Sequence, residues 1–336
     1  MSDDKKNNQK LQKSANQSTW RAKSDIPWEK TDCSPSRVAK YEMCPANYAY
    51  YYLQRLRSGD KDFFFMGNVL DEIAFEEFRF DMSQNVDDIV QLAGDEYYAR
   101  MTSSETLTNF KGEKFTEQEI LDSTMNFRTW VRGFLEALQN GEDNTGRKVH
   151  LPVVADTQVE AFWTLNIDGK EVRMRGFSDI LHEDGSVTDI KMASPIAQVI
   201  WTEGKIMSEL QWVFYSQGLN TNKFRYLVLD KKKSRNGVAQ PPEVRVLPVN
   251  VYPSDVENVK NRITLFLRGS DFLNGHKNGV FPAKPLYNGV ANKFGGRPKD
   301  LQLTQNNFCQ HLCDYKEMCF NEHFSGDKRF TEPDEE

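Results

Sequence analysis

Two aspartates and a lysine in the middle of the chain have the types and spacing that phosphodiester hydrolysis requires. Asp179 ends the run Arg175-Gly176-Phe177-Ser178-Asp179, and Asp189 and Lys191 flank one residue in Thr188-Asp189-Ile190-Lys191. Carboxylate oxygens are natural ligands for Mg²⁺ or Mn²⁺, and such a cation activates water and neutralises charge on a scissile phosphate. A nearby ammonium can orient that water or stabilise the transition state. An isolated D-x-K tripeptide is usually a pair of solvated charges on an outward strand face. Its context therefore decides.

The surrounding elements give these residues a common face. From about residue 153 apolar residues alternate, and 157–167, 171–182 and 186–192 read as strands separated by Asp168-Gly169 and Asp184-Gly185, both hairpin signals. Alternation then puts Asp189 and Lys191 on one face, and the hairpin brings Asp179 alongside. A helix is expected over about 203–219, followed by an apolar strand over 224–229. Gln211 and Tyr215, four apart, share one side of that helix.

Upstream, Ser34 caps a segment with Val38, Tyr41, Tyr48, Tyr51 and Tyr52 at helical spacing, and Cys44-Pro45 breaks it into two helices. Residues 63–80 carry helical periodicity and embed Asp71 in Gly67-Asn68-Val69-Leu70-Asp71. Residues 84–140 read as further helices, closed by a loop over 141–146. The order helix, three strands, helix, strand predicts an α/β fold, a mixed sheet with helices packed on it.

Composition bounds the possibilities. A chain of 336 residues with 38% hydrophobic residues, 22 Phe, 12 Tyr and 6 Trp can bury a large core. Residues 1–30 are polar and read as a flexible tail, 31–325 as one catalytic domain with a helical insertion over 84–145, and 326–336 as an acidic tail. No apolar stretch is long enough to span a bilayer, and the N-terminus lacks the apolar core of a signal peptide. Five cysteines, an odd count, suit a reducing cytoplasm. The net charge of −6 confines nucleic-acid contact to local patches, such as Lys231-Lys232-Lys233-Ser234-Arg235 or the spread of Lys284, Lys293, Arg297 and Lys299.

Taken together, the motifs resemble the PD-(D/E)xK nucleases of RecB type, which include the nuclease domains of RecB and AddB and CRISPR-associated or phage-borne RecB-like exonucleases. The resemblance covers about residues 34–320. It rests on the opening segment from Ser34 to Cys44-Pro45, the Gly67 to Asp71 element, Asp189-Ile190-Lys191 with the following Ala193-Ser194, and Gln211 with Tyr215. It implies a restriction-endonuclease-like core in which Asp179, Asp189 and the main-chain carbonyl of Ile190 bind the catalytic metal. Lys191 would be the catalytic lysine, with Gln211 and Tyr215 supporting the active site and DNA contact. Where the family helix commonly carries a metal-binding His, this chain has Asp71, an oxygen ligand that can change metal preference.

Cys309, Cys313 and Cys319 fall within eleven residues, and four thiolates could hold a [4Fe–4S] cluster or Zn²⁺, with the fourth from Cys33 or Cys44. The resemblance selects Cys44, so that the cluster staples the two ends of the domain. This chain spaces the C-terminal group C-x3-C-x5-C, one residue longer than the usual C-x2-C-x5-C. Zinc is the alternative, with His311 or His323 replacing a thiolate, and Cys33 reads as a spare thiol.

The expectation is a metal-dependent deoxyribonuclease, an exonuclease on linear or single-stranded DNA in phage or prokaryotic recombination, replication or repair. The competing readings are a structure-specific or restriction-type endonuclease and a non-catalytic iron–sulfur DNA-binding subunit. Intact Asp179, Asp189 and Lys191 speak against the last. No Walker A motif is present, so unwinding would need a helicase or recombinase partner.

Overall fold

The computed structural model describes residues 32–56, 60–75, 85–109, 113–193, 206, 209–234, 236–282 and 315. The chain enters through a short strand β1 (Asp32–Cys33) and helix α1 (Pro35–Met43), whose cap is Ser34 accepting from the Arg37 N–H at 3.3 Å. As the sequence predicts, Pro45 starts a separate helix α2 (Pro45–Tyr48), which widens into a π-helical turn, Ala49–Leu53. Helix α3 (Asp62–Val69) likewise widens into a π-helical segment, Leu70–Phe75. The rest of the helix expected over 63–80 lies outside the described residues.

Helices α4 (Val86–Ser103) and α5 (Glu117–Asn140) follow. In α5 a capping box starts the helix: Glu119 N–H donates to Thr116 Oγ1 at 3.2 Å and Thr116 N–H to Glu119 Oε2 at 2.8 Å. Phe127, Trp130, Val131, Phe134, Leu135 and Leu138 recur every three or four residues and are buried. Gly141, at φ 71°, ends the helix in the left-handed conformation that a Cβ disfavours.

The expected meander is present as β2 (Val154–Ile167), β3 (Lys170–His182) and β4 (Val187–Ala193). Asp168 and Gly169 both have positive φ, which fits the two-residue hairpin, whereas at the second turn only Gly185 does, within a three-residue loop closed by His182 N–H to Ser186 O at 2.9 Å. Helix α6 (Gln211–Gly218) leads into β5 (Lys223–Lys233), then β6 (Ala239–Asn250), α7 (Pro253–Gly269) and a 3₁₀ turn, Phe272–Asn274. The last three elements and β1 were not anticipated. Pro241-Pro242 masked β6, because prolines demote a strand unless it lies at an edge, which is where β6 sits.

The six strands form one mixed sheet. β2 pairs antiparallel with β3 along its length, so β1 (parallel) and β4 (antiparallel) share the opposite edge of β3, at Arg173–Met174 and at Ile180–Leu181. β4 runs parallel to β5, and β6 is antiparallel to β5. One face is covered by α3, α4 and α5 over Ile180, Ile190, Leu227 and Leu229, and the other by α1, α6 and α7 over Met174, Val187, Tyr226 and Val228. No helix among the described residues is long and apolar enough to cross a membrane.

The α5 layer is tied to the sheet by polar contacts. Trp130 Nε1 donates to Lys232 O at 2.9 Å, and Asn126 Oδ1 accepts from the Ala239 N–H at 2.8 Å. In the loop after α5, Asp143 accepts from the N–H groups of Thr145 and Arg147, each at 2.9 Å, and from the Val244 N–H of β6 at 3.1 Å. Burial works against this carboxylate, but the hydrogen bonds from Thr145, Arg147 and Val244 outweigh it and hold its pKa below the ordinary range. A depressed carboxyl pKa stabilises the fold above the unfolded value, and that contribution fades as pH falls through the folded value. Asp143→Ala is expected to cost about 1–3 kcal/mol at pH 7. The gap to wild type should shrink below about pH 4, as urea titrations at the two pH values would show.

Candidate active site

The central strands part where the acids lie. The β3–β4 ladder runs only from Leu181–Val187 to Ile180–Thr188, while β4 stays paired with β5 to Ala193. Past that point the Ile190 N–H meets a side chain: it donates to Asp179 Oδ2 at 2.7 Å. A buried strand N–H must find an acceptor, and here a carboxylate replaces the missing carbonyl. In an extended strand one residue's N–H and C=O share an edge, so the Ile190 carbonyl also points to the Asp179 side.

On β4, Asp189 and Lys191 share a face as alternation predicts, with Lys191 Nζ 2.5 Å from Asp189 Oδ2. Asp189 is 2% exposed, whereas the Lys191 side chain keeps 25%. Burial pushes the Asp189 carboxyl well above its usual range; Lys191 opposes the shift and the neighbouring Asp179 charge adds to it. For Lys191, burial favours the neutral form, but Asp189 and Asp179 outweigh it and keep the ammonium protonated. Tyr226, directly across from Asp189 on β5, has its phenol pushed up by burial and then by the Asp189 and Glu209 charges.

Asp71 stands in the π-helical segment after α3, where Gln158 Nε2 of β2 donates to its Oδ2. Thr157 pairs with Ile180 and Val159 with Ser178, so Gln158 on β2 lies opposite Asp179 on β3 while its side chain reaches the Asp71 segment. Tyr215 of α6 is buried against Phe214 and Phe224, and a Cβ at Gly176 would come within 3.2 Å of its ring and 2.8 Å of Phe214. Gly176 is thus the close approach that seats α6 on β3. Gln211, at the start of α6, lines with Glu209 and Lys40 a cavity of about 320 Å³ between α6 and α1.

Two residues were missed by sequence reasoning. Glu209 acts electrostatically on Asp189, Lys191 and Tyr226, and its only signal was an acid two positions before Gln211. Gln158 gave no signal, because a glutamine inside a strand pattern carries none. In the basic run at Lys231, Lys231 and Lys232 are half-buried and engaged with neighbours, while Lys233 is exposed. Lys231 Nζ lies 3.7 Å from Met66 Sδ and 5.3 Å from the Trp130 ring, Lys233 is 5.5 Å from that ring, and Lys232 pairs with Glu243 at 2.7 Å. Arg235, Lys284, Lys293, Arg297 and Lys299 lie outside the described residues.

Among the described residues, no three His, Cys, Asp or Glu side chains form a ready metal cage. The donors still fit a hard cation. Mg²⁺ is commonly held by one or two carboxylates with water and phosphate oxygens, and Asp189 and Asp179 raise each other's energy in a way that a cation between them relieves. Of the cysteines, Cys33 is fully buried on β1 and burial pushes its thiol up to about 12, which is the behaviour of an inert core thiol. Cys44, between α1 and α2, is buried with Ala46, Tyr50 and Tyr315. Cys309, Cys313, Cys319, His311 and His323 lie outside the described residues.

Comparison with known proteins gives one family. The PD-(D/E)XK nuclease superfamily matches over residues 32–320. No curated protein matches the chain. Among solved structures it is similar to the protein SSO0001, at 13% identity over 76% of this chain and 84% of that one, with a TM-score of 0.33. It is also similar to a candidate exonuclease from Eubacterium rectale, at 13% identity over 76% and 85% of the two chains, with a TM-score of 0.41.

Breaking the Asp189–Lys191 pair from one side leaves a buried carboxylate without its cation. Lys191→Met is expected to destabilise the metal-free protein by about 1–3 kcal/mol, less than for a fully buried pair because Lys191 is partly exposed. The Asp189→Asn, Lys191→Met double variant should recover most of that loss. Chemical denaturation in EDTA measures both, and equal stability of Lys191→Met and wild type would count against the electrostatics described.

Proposed function

The chain belongs to the PD-(D/E)XK nuclease superfamily, and from that premise we propose that it is a metal-dependent deoxyribonuclease of RecB-like type that degrades linear or single-stranded DNA in recombination, replication or repair. The observation that carries the reading is the parting of β3 from β4, where Asp179 holds the Ile190 N–H beside the Asp189–Lys191 pair. Asp179, Asp189 and the Ile190 carbonyl would hold Mg²⁺ or Mn²⁺, with Asp71 as a further oxygen donor. When bound, such a cation neutralises phosphate charge and makes water a better nucleophile. Lys191, kept protonated by its two acids, donates to a non-bridging phosphate oxygen and stabilises the charge that builds there. Gln211, which lines the cavity between α6 and α1, would meet the DNA strand, while Tyr215, packed against Gly176, would brace α6 against β3.

The same family reading assigns Cys44, Cys309, Cys313 and Cys319 to a [4Fe–4S] cluster, with Zn²⁺ as the alternative. Tyr315, which the sequence places between Cys313 and Cys319, packs in the Cys44 cluster and its hydroxyl donates to Leu56 O. That contact supports a staple between the two ends of the domain. The staple has no part in hydrolysis, which needs oxygen-ligated hard cations. Unwinding of duplex DNA would fall to a separate helicase or recombinase.

Asp189→Ala and Lys191→Ala are each expected to lower cleavage at least about 10³-fold with the fold retained. End-labelled DNA with Mg²⁺ or Mn²⁺ tests this. Linear DNA should be consumed and circular DNA spared, whereas cutting of circles would favour the endonuclease reading, and full activity in either variant would sink the assignment.

Anaerobically purified protein should be brown, with iron and sulfide in equal amounts, and Cys44→Ser should lose the colour and melt at a lower temperature while Cys33→Ser keeps the colour. Colourless protein with stoichiometric zinc would replace the iron–sulfur assignment with zinc.

A further inference from the structure

Six non-glycine residues among those described have positive φ, and five of them close turns or helix ends: Arg55, Asp168, Asn220, Asp271 and His276. Gln158, at φ 52°, is the one that lies inside a strand. A left-handed backbone is unfavourable for a residue with a long side chain and persists only where its surroundings enforce it. Here it coincides with a specific contact. Gln158 Nε2 donates to Asp71 Oδ2, the orientation being fixed because a carboxylate only accepts. The other end of the amide, Oε1, is buried and has no hydrogen-bond partner among the described residues. Backbone strain and an unsatisfied acceptor are thus both concentrated on the residue of β2 that stands opposite Asp179 of β3 and reaches the π-helical segment of Asp71.

Resting on the nuclease reading above, we infer that Gln158 is a positioning residue of the active centre, which holds the Asp71 carboxylate towards the site of Asp179. A neutral amide suits this task. It fixes a carboxylate through a donated hydrogen bond without cancelling the negative charge that a cation requires, as an arginine or lysine in its place would. The left-handed turn of the backbone is what takes the side chain out of the regular ladder and sends it to Asp71. Loss of such a supporting partner typically costs a metal site about 10–100-fold in affinity or activity.

The test separates positioning from packing, because the two roles predict opposite outcomes for one substitution. Gln158→Gly relieves the backbone strain and removes the amide. Its melting temperature should equal or exceed that of the wild type, while Mn²⁺ affinity, measured by electron paramagnetic resonance without DNA, falls about 10–100-fold. Gln158→Asn tolerates the left-handed backbone but is one methylene too short to reach Asp71, and should lose Mn²⁺ affinity in the same way. Asp71→Ala combined with Gln158→Gly should bind Mn²⁺ no more weakly than Asp71→Ala alone, since both remove one interaction. A lower melting temperature with unchanged Mn²⁺ affinity in both Gln158 variants would overturn the inference, as would losses that multiply in the double variant. Wild-type protein that binds Mn²⁺ but cuts no DNA would instead sink the nuclease reading and leave the role of Gln158 standing.

Discussion

The Asp179 carboxylate on the Ile190 N–H is the contact around which the rest of the site is arranged. Two neighbouring strands that separate in a protein interior leave backbone groups which must find other partners. Meeting that need with a carboxylate puts a negative charge next to Asp189, in surroundings too dry to screen it. Lys191 offsets part of the repulsion, which is why its ammonium is held so firmly and why the Asp189 carboxyl is nevertheless raised. The centre is thus a small, electrostatically strained group of charges that, in the proposed reading, a divalent cation would settle.

Such a group is stable only on a rigid frame. On one side, Asp32 pins β1 to β3 through a bidentate pair with Arg173 at 2.8 and 2.9 Å, and Glu160 meets the fully buried Arg175. Glu42 and Arg262 join α1 to α7 at 2.8 and 2.6 Å. On the other, Arg245 and Asp230 join β5 to β6 at 2.5 Å. These pairs add orientation more than net stability, since the cost of removing charges from water offsets much of their attraction. The helical block α3 to α5 has a similar role: its core fixes the π-helical segment from which Asp71 reaches Gln158.

The turning inward of the lysine run also bears on how DNA could be met. Lys231 is half-buried against Met66 and Trp130, and the loss of solvent lowers its pKa although Asp62 opposes this. Its charge is spent on joining β5 to α3 and α5. Of this run Lys233 stays exposed, and in the proposed reading it and the protonated Lys191 at the parting of β3 and β4 would be local attractions for phosphate.

The sequence by itself determined the family and much of the frame that holds the candidate residues. Period-two alternation required Asp189 and Lys191 to share a face, the Asp-Gly turns brought Asp179 beside them, and Ser34, Pro45 and Gly141 set helix boundaries, because each of these is a local rule of backbone geometry. The places of Glu209 and Gln158 and the packing of Lys231 were decided only by tertiary structure. Each depends on contacts between segments tens of residues apart: Gln158 with Asp71, Lys231 with Trp130, Glu209 with the β4 pair. A strand pattern does not reveal where its ladder will part, since the pairing of β3 with β4 is non-local, and the same holds for the left-handed turn at Gln158. Residue types and short spacings fixed what the centre could do; only the packing of distant segments fixed which further residues surround it.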